Sequence, residues 1–160
     1  MKPRAQDISP QPRRRRLLGA AAAGLAGVAW LRPARATADE LAAAVSAFAG
    51  GAPVREGRVD FDVAPLVENG NAVPVAVRVQ SPMTAADHVV ATAIFNESNP
   101  QRDVGVFHLG PRAGRAQVAT RIRLATSQQL VAVAKMKDGS CWTRTVDVLV
   151  TLAACVEPGP

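Results

Sequence analysis

The chain has 160 residues, a length that allows one ordinary domain, or one domain preceded by a processed leader. Aromatic residues make up only 4% of it and tyrosine is absent, while Val, Ala and Leu supply most of the 48% apolar fraction. This composition excludes two large domains and an aromatic-rich binding surface. It predicts an aliphatic core of the kind that strands build.

The formal net charge of +6 would suggest a nucleic acid or an acidic membrane as partner if the charge covered the folded part. The charge is instead concentrated at the start. Residues 1–36 hold eight of the 19 Lys and Arg residues and one acid, whereas the remainder has 11 basic and 12 acidic residues, a net charge of −1. We therefore expect no nucleic-acid partner.

The first 36 residues have the pattern of an export signal. A basic segment ending in Arg13–Arg16 precedes an apolar stretch of 15 residues, 17–31, and a small-x-small cleavage pattern at 34–36. The run 14–18 fits the twin-arginine pattern. The apolar stretch is shorter than the roughly 20 residues that span a bilayer. We predict a twin-arginine signal peptide over 1–36, cleaved after Ala36 or Ala38, and a periplasmic protein with no membrane insertion once processed.

The segment 37–57 is predicted to be a short helix followed by a linker. Thr37 and Glu40 have the spacing of a capping box, and apolar residues then recur at helical intervals until the glycine pair 50–51. These apolar residues are Leu41, Val45 and Phe48.

From residue 59 the hydrophobic period changes to two, which predicts half-buried strands separated by turn signals. The strands are predicted at 59–63, 73–79, 88–95, 104–109, 118–124, 130–136 and 142–152. Asp138-Gly139 is the strongest hairpin signal and joins the last two. The pattern predicts an immunoglobulin-like antiparallel β-sandwich of about seven strands over 58–152, followed by a tail over 153–160.

The mature part contains no motif for a self-contained enzyme, metal centre or cofactor site. A nucleophile elbow, a phosphate-binding glycine loop, a His-Glu-x-x-His helix and a Cys-x-x-Cys pair are all missing. His88, beside Asp87, is expected to be solvated, and His108 is expected to cap an apolar strand face. We predict a non-catalytic protein without a cofactor or metal.

The two cysteines, Cys141 and Cys155, are the remaining reactive groups. A strand between them would separate them by more than about 40 Å, whereas a disulfide needs Cα atoms within about 7 Å. We therefore expect no disulfide within the chain. Strand parity places Cys141 off the core face, with a structural role or at most that of a secondary thiol. Cys155 follows the last strand, and we predict an exposed functional thiol there.

Several segments resemble SoxY, the sulfur-carrier family of periplasmic sulfur oxidation. They are ENGNAVPVAVRVQSPM at 68–83, IFNESNP at 94–100, ATRIRLATSQQLVAVAKMKDG at 119–139 and the near-terminal cysteine. The resemblance implies an immunoglobulin-like carrier that pairs with a SoxZ-like subunit. It also implies that Cys155 holds sulfur intermediates covalently, as in thiosulfate oxidation, while partner enzymes act on them.

The tail departs from the Gly-Gly-Cys-Gly-Gly pattern of that family, because this chain has Ala153-Ala154-Cys155-Val156-Glu157. Alanine and valine restrict the backbone, and Glu157 disfavours a thiolate at Cys155. Three alternatives therefore stay open. They are a docking or accessory protein of a quinoprotein dehydrogenase system, a structural sandwich whose thiol has lost its role, and a periplasmic redox or copper-delivery protein that uses Cys155 with a histidine or Cys141.

Overall fold

The computed structural model describes residues 36–154, with side chains from residue 38 onward. The predicted signal peptide up to residue 35 and the predicted carrier thiol Cys155 lie outside the described residues. No helix in the described part is long and apolar enough to cross a membrane.

One α-helix and nine strands form the described chain. They are α1 (Ala36–Ala49), β1 (Val54–Glu56), β2 (Val59–Asp62), β3 (Leu66–Asn69), β4 (Val73–Val79), β5 (Val89–Asn96), β6 (Asp103–His108), β7 (Gln117–Ile122), β8 (Gln128–Met136) and β9 (Cys141–Leu152). A short 3₁₀ turn, Pro111–Ala113, precedes β7.

The strands form two sheets. The larger has the order β1-β9-β8-β5-β6, with β3 also paired to β9, and the smaller has the order β2-β4-β7. The predicted immunoglobulin-like sandwich with a short N-terminal helix is confirmed. The seven predicted strands correspond to β2 and β4 through β9. The sequence pattern did not predict β1 and β3, which pair in parallel with the two halves of β9.

The main core lies between the sheets and is aliphatic. Alternate residues of β4 point inward, as the period of two predicted, and every second residue of β8 meets them. The most deeply buried members are Val73, Val77, Val89, Ile94, Leu124, Leu130, Ala132, Ala134, Met136 and Val148. Of β9, the even-numbered residues from Trp142 to Val150 pack on this core.

A second, smaller core lies between α1 and the outer face of the larger sheet. Leu41 of α1 packs with Ala93, Phe95, Val131 and Val133. The rings of Phe48 and Phe95 meet edge to face, with centroids 6.0 Å apart. Strands β5 and β8 are therefore buried on both faces.

Candidate functional site

The chain is held by hydrogen bonds up to the residue before Cys155. The Gly70 N–H donates to the Leu152 carbonyl (2.8 Å), the Leu124 N–H to the Gly70 carbonyl (2.9 Å), and the Ala154 N–H to the Leu124 carbonyl (3.0 Å). We call these four residues the C-terminal latch. It ties the end of β9 to the segment that follows β7 of the other sheet, so the last described residue has a fixed place at one end of the sandwich.

Position 70 of the latch requires glycine because there is no room for a side chain. Gly70 is buried, and a Cβ atom there would collide with the Leu124 carbonyl oxygen. It would also lie 3.0 Å from the Ala154 nitrogen and 3.2 Å from a Val150 methyl carbon. The first two neighbours are backbone atoms, so a larger residue must displace the latch itself.

A buried amide network supports the latch from the other side of Leu124. The Asn99 side-chain amide donates to the Arg123 carbonyl (2.7 Å), and its oxygen accepts from the Ala125 N–H (3.0 Å) and from Gln128 Nε2 (2.8 Å). Asn99 thus fixes the backbone on both sides of Leu124. The Asn99 N–H in turn donates to Asn96 Oδ1 (2.9 Å), which holds the 96–101 loop.

The network makes a test of stability possible. Asn99→Ala removes three hydrogen bonds and leaves two partly buried backbone groups without partners, so we expect the free energy of unfolding to fall by about 2–3 kcal/mol. Urea titration of the variant measures this. Asn71→Ala is the control, because Asn71 is exposed and bonds only locally to Asn69. Equal stability of the two variants would contradict a supporting role for Asn99.

The predicted carrier thiol, Cys155, is covalently joined to a buried residue. Ala154 is 6% exposed, so the latch holds the first part of the segment predicted as a tail. An extended trans peptide places the Cα of Cys155 about 3.8 Å from that of Ala154. The thiol is therefore tethered at the latch end of the sandwich.

The second cysteine, Cys141, lies at the opposite end of β9 as a free, buried thiol that is 1% exposed. Strand alternation places it off the main core face, as predicted. Its burial has a separate cause: Val54 of β1 pairs with it on one side and Lys135 on the other, and the Lys135 ammonium lies against Gly50 at the end of α1.

Burial raises the pKa of the Cys141 thiol above its ordinary value, with Asp138 adding to the rise and Lys135 opposing it. A thiol with a raised pKa is a poor nucleophile at neutral pH because little thiolate is present. Since β9 is 12 residues long, about 36 Å separates Cys141 from the end of the strand. The described structure does not bring the two cysteines together.

The histidines do not join the cysteines in a site. The expectation that His88 is solvated is wrong, since it is 8% exposed and its Nδ1 lies 2.9 Å from the Thr84 carbonyl oxygen. His108 is exposed at the end of β6. Within residues 36–154, no group of three His, Cys, Asp or Glu side chains could hold a metal ion.

Sequence reasoning missed the residues that position the tether. Gly70 appeared only as part of a turn signal, and Asn99 only as part of a motif that resembled a family. Their roles depend on contacts with residues 124 and 154 that are distant in sequence. A buried Gly-to-backbone approach has no periodic signal, although the Asn-rich segment 96–99 is the kind that forms loop hydrogen bonds.

A comparison with protein families finds one that covers well over half of the chain. The family model described as sulfur oxidation protein SoxY matches residues 45–155, so the match extends from α1 to Cys155. Among proteins of curated function, none matches the sequence significantly.

Solved structures agree with this match. The sulfur carrier protein SoxY from Chlorobium limicola f. thiosulfatophilum has a TM-score of 0.61 and 28% identity, over 72% of this chain and 99% of that chain. Superoxide reductase (neelaredoxin) from Ignicoccus hospitalis has a TM-score of 0.53 and 18% identity, over 60% of this chain and 82% of that chain. The second likeness concerns the fold alone.

Proposed function

The chain belongs to the SoxY family of sulfur oxidation proteins, and from this premise we propose that it carries sulfur intermediates covalently on Cys155 during the oxidation of thiosulfate or a related compound. The observation that carries the proposal is that the family match ends on Cys155, directly after the latched Ala154. A fixed attachment point at the end of a rigid sandwich suits a protein that presents a reactive thiol to other proteins.

The chemistry requires a partner. Joining the Cys155 sulfur to an incoming sulfur atom forms an S–S bond, releases the thiol proton to solvent and removes two electrons from the two sulfur atoms. An oxidising partner enzyme must accept these electrons. In this proposal the carrier contributes the nucleophile and no catalysis.

Of the two cysteines, the contrast between their positions supports Cys155. Cys141 is buried with a raised pKa at the far end of β9. An in-chain redox pair would need the two sulfurs adjacent, and β9 separates the two positions. This separation also disfavours a copper site built from both thiols.

Mass spectrometry of the protein isolated from its source organism tests the proposal. We expect an intact mass above that of the bare chain, a return to the bare mass after reduction, and an adduct that peptide mapping places on Cys155. An adduct on Cys141, or none while cells oxidise sulfur compounds, would overturn the carrier function.

The same spectrum tests export to the periplasm through the twin-arginine pathway, which we propose from the leader. The mass should correspond to a chain that begins at Thr37 or Asp39, and the protein should lie in the periplasmic fraction. An intact chain that begins at Met1 in the cytosol would contradict this.

We also propose that the chain works as a complex with a SoxZ-like subunit, as SoxY-family proteins generally do. The described sheets have open edges that could accept a partner: β6 borders the larger sheet, and β2 and β7 border the smaller. Co-expression with the SoxZ-like subunit should give a one-to-one complex by light scattering, and without that subunit a homodimer. A monomer that the added subunit does not shift would count against it.

A further inference from the structure

The latch limits how far the carrier thiol can travel. With Ala154 held at Leu124, the Cys155 sulfur stays within roughly 7 Å of the Ala154 Cα. The family's usual Gly-Gly before the cysteine is here Ala153-Ala154. Alanine loses less conformational entropy than glycine when it becomes ordered, which favours the latched state. An enzyme that reaches the thiol must therefore contact the surface around the latch.

That surface carries an exposed apolar cluster. Three of the four large hydrophobic side chains exposed in the described part lie at this end of β3 and β9: Leu66 (58% exposed), Leu149 (62%) and Leu152 (60%). Leu66 and Leu149 are direct partners across the parallel β3–β9 pair and so share one face. Leu152 lies at the end of the strand, two residues before the latched Ala154. Single exposed leucines are ordinary, but a cluster beside a reactive tether indicates a contact surface.

The charge around the paired leucines defines the partner further. Strand alternation places Glu68 beside Leu66 and Asp147 beside Leu149 on the same face. Both residues are exposed, and neither forms an ion pair with any of residues 38–154. A complementary partner would bring an apolar surface bordered by Arg or Lys.

We infer that Leu66, Leu149 and Leu152, with Glu68 and Asp147, form the docking surface for the enzyme that loads or unloads the Cys155 thiol. This rests on the proposed carrier function. The occupant is an enzyme whose reactive-site entrance is apolar, bordered by basic residues, and shallow enough for a thiol within roughly 7 Å of the latch. A SoxZ-like subunit that only supports the carrier has no need to approach this end.

The test measures how fast Cys155 gains its adduct. Full-length genes for the wild type, Leu66→Ser/Leu149→Ser and Val106→Ser are expressed in the source organism. The purified proteins are reduced and mixed with an extract of that organism and thiosulfate, and intact mass is followed with time. Val106 is the matched control because it is also exposed (45%) but lies on β6, at the opposite edge of the sheet.

We expect the double variant to gain the adduct about tenfold more slowly and Val106→Ser to match the wild type, the usual effect of losing central apolar contacts in an interface. Alkylation of Cys155 by iodoacetamide should be equal in all three, which shows that the thiol itself is unchanged. If the double variant melts early, Leu152→Ser alone replaces it.

Two results would overturn the docking surface alone: equal adduct rates in the wild type and the double variant, or loss of the SoxZ-like subunit from the double variant. In the second case the surface belongs to that subunit. A wild-type chain that gains no adduct would overturn the carrier function and the docking surface together.

Discussion

Replacing Cys155 by serine is expected to abolish the sulfur adduct and the sulfur-oxidising activity that depends on the carrier. A hydroxyl has neither the nucleophilicity of a thiolate nor the ability to form a reducible bond with sulfur. The folded sandwich should be unaffected, because Cys155 follows the last residue of the latch. Growth or oxygen uptake on thiosulfate, with intact-mass analysis of the same cells, measures both effects.

Cys141→Ala is the matched control for this prediction. It removes the other thiol from a site that is 1% exposed, so a modest loss of stability is expected while adduct and activity stay within about twofold of the wild type. Serine is less suitable, because it would bury a hydroxyl in place of the thiol. Full activity of Cys155→Ser, or loss of the adduct in a folded Cys141→Ala protein, would return the docking and redox alternatives to consideration.

The parts of the fold that were predictable are those with a regular hydrophobic period. In β4 the valines at 73, 75, 77 and 79 alternate with outward residues, and the structure buries all four. The Asp138-Gly139 turn also joins β8 to β9 as expected. In both cases neighbours in sequence determine the local structure, so the pattern was sufficient.

The parts that were not predictable depend on distant pairing. Strands β1 and β3 have three and four residues, too few to show a period, and they form because β9 offers them an edge. Glu40 has the spacing of a capping box, yet its carboxylate binds Arg102, 62 residues away, at 2.6 Å. No local pattern contains either partner.

The candidate site shows the same division. The sequence identified Cys155 and placed Cys141 off the core face. It did not reveal that α1 and β1 bury Cys141, because the helix covers that face only in the folded chain. Nor did it reveal the latch, whose residues at 70, 124, 152 and 154 come from three separate segments. The identity of a reactive group was thus readable, whereas its permitted range of movement required the tertiary structure.

Gly70→Ala is expected to lower the free energy of unfolding by about 3 kcal/mol, since it forces a methyl group against the Leu124 carbonyl and weakens two latch hydrogen bonds. For a domain of this size the loss corresponds to a fall in melting temperature of about 10 °C. Urea titration and thermal melting of the purified protein measure the two quantities. Gly110→Ala is the matched control, because its φ is −147° and no atom lies within 4 Å of the added Cβ.

The same substitution separates the latch from general stability. If the latch holds the tether, hydrogen exchange of the Ala154 amide should become faster in Gly70→Ala than the loss of global stability accounts for, because this amide loses its own acceptor geometry at Leu124. Amides in the centre of β8 should slow or quicken only with global stability. Exchange at Ala154 that stays protected in Gly70→Ala would mean that the chain is held by something other than the latch. The limited reach of Cys155 would then have no structural cause in these residues.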